Sequence, residues 1–250
     1  MSPEILGVCG TDLKIASGAI PVEPRRVLGH EMVGRVVRPG AGGHLPEGAR
    51  VLVDPAVSCG RCDLCRADRP HLCPSGALMG RDVDGVFADL VAVDDRQLHP
   101  VPEHIPWRDA ALLQVLGTCV HAQTLVDVFP GQTAAVVGLG VSGLLHLQLL
   151  RARGIERVVG VTRSAWKRRL AEELGATVAV PPAEARAAVD EVTAGAGADL
   201  VVESAGTGET FRQAIELAAI GGQVLVFGIV SSPPAGLRWY DLYYKELRLL

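Results

Sequence analysis

The sequence predicts an α/β protein with a mostly β first part, residues 1–126, and a doubly wound parallel sheet over residues 127–250. Before residue 126, short runs of β-type residues alternate with glycine- and proline-rich turns, a pattern typical of compact β or irregular domains. After residue 126, the rhythm changes to strand, glycine turn, long helix and strand, which indicates βαβ units. The two patterns together predict two domains.

The individual elements follow from apolar runs and from the residues that interrupt them. In the first part, strands are predicted at residues 32–37, 50–53 and 85–93. In the second part, buried runs predict strands at residues 133–137, 158–161, 199–203 and 223–228, and a further strand that begins at 246–250. Helical spacing predicts helices over residues 142–153 and 166–174, the second closed by Gly175. Residues 181–188 predict a surface turn that enters a helix.

Composition limits the possible classes of function. Because 48% of the 250 residues are hydrophobic, the chain can bury a large core without disulfides, and its six cysteines are better suited to metal binding in a reducing compartment. The net charge of −4 favours neither nucleic acid nor a membrane surface as a partner. Residues 1–8 lack the pattern of a signal peptide, and no apolar stretch is long enough to span a bilayer. A soluble, cytoplasmic protein is therefore expected.

Four cysteines lie within fifteen residues, in the order Cys59-x2-Cys62-x2-Cys65-x7-Cys73. Thiolates at such spacing bind zinc, and four protein ligands leave no open position for a substrate, so a structural zinc site is predicted. A [4Fe–4S] cluster is the closest alternative, because a cysteine followed by proline also completes the ferredoxin pattern. The final gap of seven residues instead of three argues against it. A cluster without metal is the third alternative.

A glycine-rich loop follows the first predicted strand of the second part and opens a helix, which is the context that a dinucleotide-binding motif requires. Its first glycine permits a tight turn, the second admits a pyrophosphate, and the third lets helix and strand pack closely. The helix N-terminus then faces the phosphates. A simple structural turn is the alternative. The predicted cofactor-binding residues of this loop are Gly138, Leu139, Gly140, Val141, Ser142 and Gly143.

The end of the next predicted strand indicates which cofactor is bound. Sites for NAD usually have an acidic residue there to bind the ribose hydroxyls, but this chain has Thr162, Arg163 and Ser164. A guanidinium and hydroxyl groups suit a 2′-phosphate, and Lys167 or Arg168 one turn later can add positive charge. NADP(H) is therefore favoured over NAD(H). The alternative is a solvated basic helix start.

Four motifs occur in order along the chain: Cys9-Gly10-Thr11-Asp12, Gly29-His30-Glu31, the four-cysteine segment and the glycine-rich loop. Together they resemble the zinc-containing medium-chain alcohol dehydrogenase family, in its sorbitol, threonine and sugar dehydrogenase-like branch. The resemblance covers essentially the whole chain. It implies an incomplete GroES-like catalytic domain, with a structural zinc lobe at about residues 58–74, and a Rossmann domain. Relatives have further residues at both ends, so the chain is expected to be truncated, its last strand cut short.

Cys9 and His30 supply a thiolate and an imidazole, two donors that zinc favours, and the resemblance assigns both to a catalytic zinc. Taken alone, each would more simply be a buried thiol or a hydrogen-bonded histidine. Thr11 stands two residues after Cys9, where an extended chain places both side chains on one face, so its hydroxyl is predicted to contact an alcohol at the metal. Asp12 is predicted to accept a hydrogen bond from the far nitrogen of His30.

The third ligand of the catalytic zinc departs from the family's common pattern. Where relatives often have Cys or Glu, this chain has Gln114, a weaker and neutral donor; a polar residue at a helix start is the alternative. A neutral third ligand leaves room for Glu31 to approach the metal. Cys119, about 140° further around a helix, is a poor substitute. Lys14 stands where some relatives have a proton-relay histidine, and a solvated lysine is the simpler interpretation.

The resemblance implies a zinc-dependent oxidoreductase that transfers hydride between NADP(H) and an alcohol or polyol, or the corresponding carbonyl. About two zinc ions per chain are expected, with Thr11, Asp12 and Glu31 as catalytic side chains, a small-molecule substrate and a homodimeric or homotetrameric assembly. The expected truncation and Gln114 leave a second hypothesis, an impaired remnant that binds structural zinc and could bind nucleotide. A zinc-free reductase related to quinone reductases fits poorly, because such proteins generally lack the cysteine segment.

Overall fold

The computed structural model describes all 250 residues, which form two compact units, Met1–Val115 and Leu116–Leu250. The division falls within a helix, earlier in the chain than the predicted domain boundary at residue 126, which stays a prediction. None of the helices is both long and apolar enough to cross a membrane.

The first unit is built around an antiparallel sheet of four strands in the order β1-β2-β3-β6, beside a separate ribbon of β4 and β5. Single 3₁₀ turns occur at Pro70–Leu72 and Asp95–Gln97. The strands and helices of this unit are β1 (Ser2–Gly7), α1 (Gly10–Ala16), β2 (Glu31–Arg35), β3 (Arg50–Val53), β4 (Ala56–Val57), α2 (Asp63–Arg66), β5 (Ala77–Leu78), β6 (Leu98–Pro100) and α3 (Trp107–Ala110).

The four-stranded sheet has an apolar cluster on each face. Met32 and Val33 are neighbours in β2, yet they pack into different clusters, because successive side chains of a strand point to opposite faces. Met32 packs with residues such as Val51 and Val53, and Val33 packs with Ala110. The sheet therefore gives the unit its core and fixes the position of the residues that precede β2.

The predicted strand at residues 85–93 is wrong, although those at 32–37 and 50–53 are confirmed as β2 and β3. Val86 and Val91 are buried, which explains the apolar pattern. Their backbone N–H groups, however, donate to isolated loop and terminal carbonyls, those of Gly29 and Met1, and not to a neighbouring strand. Burial without a ladder of hydrogen bonds thus produced a strand-like sequence in a loop.

A helix, α4 (Leu113–Thr124), contains the division between the units and leads into a second sheet of six parallel strands. The strand order is β12-β11-β10-β7-β8-β9, a doubly wound arrangement whose direction of winding reverses between β7 and β10. The further elements are β7 (Thr133–Val137), α5 (Val141–Ala152), β8 (Arg157–Val161), α6 (Ala165–Glu173), β9 (Val178–Val180), α7 (Ala185–Thr193), β10 (Ala198–Glu203), α8 (Gly208–Leu217), β11 (Ala218–Val226), α9 (Trp239–Tyr244) and β12 (Arg248–Leu249).

Helices cover both faces of this sheet, so its central strands are apolar throughout. Every residue of β7 is buried, with Ala135 and Val137 on one face and Ala134 and Val136 on the other. The predicted α/β fold is confirmed here. Gly175 follows α6 with a φ of +105°, a 3₁₀ turn at Pro182–Glu184 leads into α7, and the end of the chain adds β12 to the sheet.

Candidate functional site

The four clustered cysteines meet at one point in the first unit. The sulfurs of Cys59, Cys62, Cys65 and Cys73 all lie within 4.8 Å of one another, and the sulfurs of Cys62 and Cys65 are 3.4 Å apart. None of the cysteines forms a disulfide. A cage of four sulfur donors at these separations fits a tetrahedral zinc ion and leaves no position for a further ligand.

Backbone N–H groups surround these sulfurs. Cys62 N donates to the Cys59 sulfur, and Cys65 N donates to the Cys62 sulfur, each at 3.4 Å. Cys62 is the residue before the short helix α2, and Cys65 lies within that helix. Hydrogen bonds from the backbone N–H groups of Arg61 and Cys62 lower the pKa of the Cys59 thiol to about 6. Such bonds favour the thiolate form that binds metal, so the chemistry of the donor set agrees with the predicted structural site.

A second group of metal-type donors consists of Cys9, His30 and Glu31, whose ligand atoms also lie within 4.8 Å of one another. Cys9 is the residue before α1, and His30 and Glu31 stand at the start of β2. Gly7, which pairs with Glu31 across β1 and β2, makes room for the acid: a Cβ atom there would lie 2.1 Å from Glu31 Oε2. Sulfur, imidazole nitrogen and carboxylate oxygen at one point suit zinc.

Asp12 connects the segments that carry these donors. It is almost fully buried, its Oδ2 accepts a hydrogen bond from Cys9 N at 2.8 Å, and its Oδ1 accepts one from Gly29 N at 3.2 Å. The same Oδ1 lies 3.5 Å from Nδ1 of His30. That contact orients the ring and leaves Nε2 of His30 as the nitrogen available to a metal.

The donors also perturb one another electrostatically. A hydrogen bond from His30 lowers the pKa of the Cys9 thiol, and the same bond raises the pKa of His30. Burial raises the pKa of Glu31. Three titratable groups are therefore packed where their charges strongly interact, an arrangement that a divalent cation relieves by stabilising the thiolate and carboxylate.

Thr11 contacts Cys9, but for a different reason than the sequence indicated. The expectation of an extended chain is wrong, because Thr11 lies in the first turn of α1, where its backbone N–H and its hydroxyl help to lower the pKa of the Cys9 thiol. Lys14 is exposed on the same helix, as a solvated lysine would be. Gln114 is half-buried in the first turn of α4, and its role as a ligand stays a prediction.

The glycine-rich loop of the second unit joins β7 to α5. Gly138 has a φ of +96°, and a Cβ atom on it would lie 2.8 Å from Ala205 N. A Cβ atom on Gly143 would lie 1.9 Å from the carbonyl oxygen of Gly138, so only glycine lets the helix pack so close to the strand. Gly140 precedes α5 with open space on its Cβ side, which leaves the helix N-terminus accessible to a phosphate group.

A cleft of about 370 Å³ lies at the carboxyl ends of β7, β8 and β10. Gly138, Leu139 and Gly140 line it on one side, and Thr162 and Arg163 line it at the end of β8. A dinucleotide fits such a position, because the strand order of the sheet reverses there, and because Gly138 and Gly140 have no side chains that would block the approach of a ligand to the backbone. Val141, Ser142, Gly143 and Ser164, also predicted as cofactor-binding residues, are not among the lining residues.

The basic residues after β8 divide into two roles. Arg168 donates from Nη1 to the carbonyl oxygens of Thr162 and Arg163, at 3.0 and 2.9 Å, and so holds the turn. Arg163 and Lys167 line the cleft and are the positive charges that a ligand would meet. The sequence suggested Lys167 or Arg168 for this purpose, and the geometry favours Lys167.

Sequence reasoning missed one wall of the cleft, which is formed by the segment between β10 and α8 and by the first turn of α8. Ser204, Ala205, Thr207, Glu209 and Thr210 line the cleft from this side. None belongs to a recognisable motif. The signal that could have found them is topological, because a segment that follows the strand beside β7 must lie at the reversal point of the sheet.

Comparison with known proteins agrees with both units. Residues 3–103 match the family model of the alcohol dehydrogenase GroES-like domain, and residues 141–250 match that of zinc-binding dehydrogenases. L-threonine 3-dehydrogenase of Bacillus licheniformis is 32% identical over 247 residues, covering 96% of this chain and 71% of that enzyme. L-threonine 3-dehydrogenase of Anaeromyxobacter dehalogenans is 33% identical, covering 97% of this chain and 72% of its own length.

Solved structures are similar over nearly the whole chain. A zinc-binding dehydrogenase from Sinorhizobium meliloti, solved with bound NADP, has a TM-score of 0.89 at 38% identity and covers 100% of this chain and 75% of its own. An alcohol dehydrogenase from Thermus sp. ATN1 has a TM-score of 0.89 at 28% identity, covering 98% and 74%. The chain thus spans about three quarters of these structures and 66% of the threonine dehydrogenase of Caldanaerobacter subterraneus.

Fold, motifs and similarity together define a zinc-containing, nicotinamide-dependent dehydrogenase. The chain belongs to the zinc-containing medium-chain alcohol dehydrogenase family, whose GroES-like and Rossmann-type domains are both present. It is therefore an NAD(P)-dependent oxidoreductase of the class that acts on CH–OH groups. Nothing in these comparisons favours the hypothesis of an impaired remnant.

Proposed function

We propose that this chain oxidises a small polar secondary alcohol with NADP⁺, and reduces the corresponding carbonyl in the reverse direction, at a zinc ion held by Cys9 and His30. The observation that carries the proposal is the meeting of three zinc-type donors within 4.8 Å at Cys9, His30 and Glu31. Glu31 and Gln114 are the two candidates for the third ligand. The four-cysteine lobe is proposed to bind a second, structural zinc ion.

Zinc at the first site supplies a Lewis acid for the substrate oxygen, and the nicotinamide supplies the hydride acceptor or donor. The residues around the site do the remaining work. The Thr11 hydroxyl, already beside the Cys9 sulfur, hydrogen-bonds the substrate hydroxyl, accepts its proton at Oγ1 and releases its own towards solvent. Asp12 holds His30 in the tautomer that leaves Nε2 free of a proton.

The preference for NADP(H) is supported by charge at the end of β8. Arg163 and Lys167 line the cleft where an NAD-binding site would have an acidic residue. Glu209 lies in the first turn of α8, on another wall of the cleft, so the positive charge is confined to the side of β8. The Sinorhizobium meliloti structure that this chain resembles was solved with NADP.

The substrate class is supported by the names of the relatives. Because several are L-threonine 3-dehydrogenases, the first candidates are L-threonine and comparable secondary alcohols, followed by polyols. The proposed assembly is a homodimer or homotetramer.

The activity can be tested with zinc-loaded protein and a panel of L-threonine, sorbitol, galactitol and propan-2-ol, by following nicotinamide reduction at saturating NADP⁺. At least one substrate should be oxidised, and Cys9→Ser should lower the rate more than about 100-fold, because it removes a metal ligand. Cys119→Ala is the matched control, since this buried thiol belongs to neither donor group. Equal rates for Cys9→Ser and wild type would rule out a catalytic metal at Cys9.

The cofactor preference is tested by Arg163→Gln. Removing the guanidinium should raise KM for NADP⁺ about tenfold and leave KM for NAD⁺ nearly unchanged, because only NADP⁺ carries the 2′-phosphate. Arg169→Gln is the control, an exposed arginine of α6 that does not line the cleft. An equal change for both cofactors would show that Arg163 does not recognise the 2′-phosphate.

A further inference from the structure

Glu203 is a fully buried acidic residue at the end of β10, and the mechanism above does not use it. It pairs with Val137, the last residue of β7, and the next residue, Ser204, donates from its backbone N–H to the carbonyl of Val137 at 2.8 Å. Glu203 therefore lies at the carboxyl end of β10, beside β7, where the strand order of the sheet reverses. This is the position at which doubly wound sheets bind cofactors.

One carboxyl oxygen of Glu203 collects all of its side-chain hydrogen bonds. Oε1 accepts from Ala205 N at 2.9 Å, from Gly206 N at 2.8 Å and from the Thr210 hydroxyl at 2.7 Å. Oε2 is buried without a partner, beside Gly228, where a Cβ atom would approach it to 2.6 Å. Burying an acid in this way is unfavourable unless its hydrogen bonds compensate, so the three bonds to Oε1 hold the turn above it firmly.

The turn of residues 204–207 forms part of the cofactor cleft. Ser204, Ala205 and Thr207 line the cleft, and Gly206 gives the turn its positive φ of +75°. The turn also contacts the glycine-rich loop, through a 3.0 Å hydrogen bond between the hydroxyls of Ser204 and Ser142. A carboxyl group below the turn thus fixes the wall that faces the glycine-rich loop.

We infer that Glu203 is a positioning residue for the nicotinamide cofactor, which acts through turn 204–207 and holds the cleft open in its binding shape before the cofactor arrives. The inference rests on the proposed cofactor-dependent function. A preformed turn spares the cofactor the entropic cost of ordering it, so loss of the Oε1 bonds should appear in cofactor affinity. A residue that only supported the core would change thermal stability and leave affinity unaltered.

The test measures NADPH binding to the zinc-loaded full chain by fluorescence titration, well below the melting temperature. Thr210→Val removes one donor to Oε1 and should raise the Kd about fivefold to tenfold, and Thr210→Ser should restore it to within about twofold. Glu203→Gln, which keeps a neutral acceptor, should raise the Kd several-fold, by about the same factor as Thr210→Val. Glu216→Gln, an exposed acid on the same helix α8, is the matched control and should bind like wild type.

The possible results distinguish the proposed cofactor-dependent function from the positioning role of Glu203. If wild type binds neither NADPH nor NADH, the proposed function fails and the inference fails with it. If wild type binds NADPH and both Thr210→Val and Glu203→Gln bind equally well, even with lowered melting temperatures, only the inference is overturned. Should Glu203→Gln fail to fold, the pair Thr210→Val and Thr210→Ser still decides, because both variants leave the acid in place.

Discussion

Asp12 shows how much one buried side chain organises in the proposed catalytic site. Its two carboxylate oxygens accept hydrogen bonds from the backbone of Cys9 and of Gly29, and one of them also faces His30. A single acid therefore fixes both chain segments that carry the donors. Replacement of Asp12 by a smaller residue would free the segments together with the imidazole, which is why a residue that does not touch the metal still matters to its binding.

His146 gives a prediction at the same scale, for the dependence of stability on pH. It is fully buried in α5, its Nδ1 accepts a hydrogen bond from Gln123 at 3.1 Å, and burial lowers its pKa to about 4. The unfolded chain protonates this histidine near pH 6.5, whereas the folded chain keeps it neutral to about pH 4. The unfolded state thus binds more protons between about pH 4 and pH 6.5. His146 therefore does not reduce the free energy of unfolding well above pH 6.5, and it reduces this free energy progressively as the pH falls below 6.5.

We expect His146 to lower the free energy of unfolding by about 2 kcal/mol between about pH 7.5 and pH 5. Urea unfolding of wild type and His146→Gln across this range measures the effect, since glutamine offers Gln123 an acceptor but does not titrate. The variant should lose about 2 kcal/mol less than wild type. Identical pH profiles would contradict the prediction. His99→Gln, at an exposed histidine, controls for the loss of a charge in general.

At the scale of single elements, we expect the cysteine lobe to be the segment that depends most on metal. It contains only the four-residue helix α2 and one 3₁₀ turn, and its cysteine side chains are only half-buried. So little regular structure and burial cannot order the lobe without a cross-link between its turns. A metal ion bound by the four cysteine sulfurs would provide this cross-link.

Limited trypsin digestion tests this dependence, because Arg61 and Arg66 place cleavage sites inside the lobe. Zinc-loaded wild type should resist cleavage there, and Cys62→Ser should lose about one zinc ion per chain and be cut rapidly at these arginines. Ser58→Ala, which changes a neighbouring residue that is not a ligand, should behave like wild type. Equal resistance of Cys62→Ser would mean that the lobe is ordered without metal.

Local sequence was sufficient for some elements and not for others. The segment of β7, glycine-rich loop and α5 could be predicted from local sequence, because its strand is apolar on both faces. Its glycines are also required by backbone contacts within the same segment, such as the contact of Gly143 with Gly138. The loop at residues 85–93 was mistaken for a strand, because buried valines give the same alternation whether or not a partner strand exists.

The wall of the cleft formed by Ser204 and Thr207 was missed for a related reason. These residues have no local signature, and they reach the cleft only because β10 pairs with β7 across more than sixty residues of sequence. In the same way, the sequence indicated Gln114 as a ligand but could not show that Gly7 makes room for Glu31 beside Cys9. Long-range pairing decides such contacts, and a single sequence does not record it.

At the scale of the whole molecule, the chemistry is divided between the units. The first unit contains both groups of metal-type donors, and the second contains the cleft for the cofactor. The family that the chain belongs to combines the same two domains. We therefore expect two zinc sites of different kinds in the first unit, a closed one made of four cysteines and an open one at Cys9.

Zinc content per chain, determined by elemental analysis of wild type and Cys9→Ala, tests this claim most directly. We predict about two zinc ions in wild type and about one in the variant, because the variant loses the open site and retains the four-cysteine lobe. Cys119→Ala should match wild type. About one zinc ion in both wild type and Cys9→Ala would show that only the lobe binds metal, and would contradict the proposed zinc-dependent mechanism for this chain.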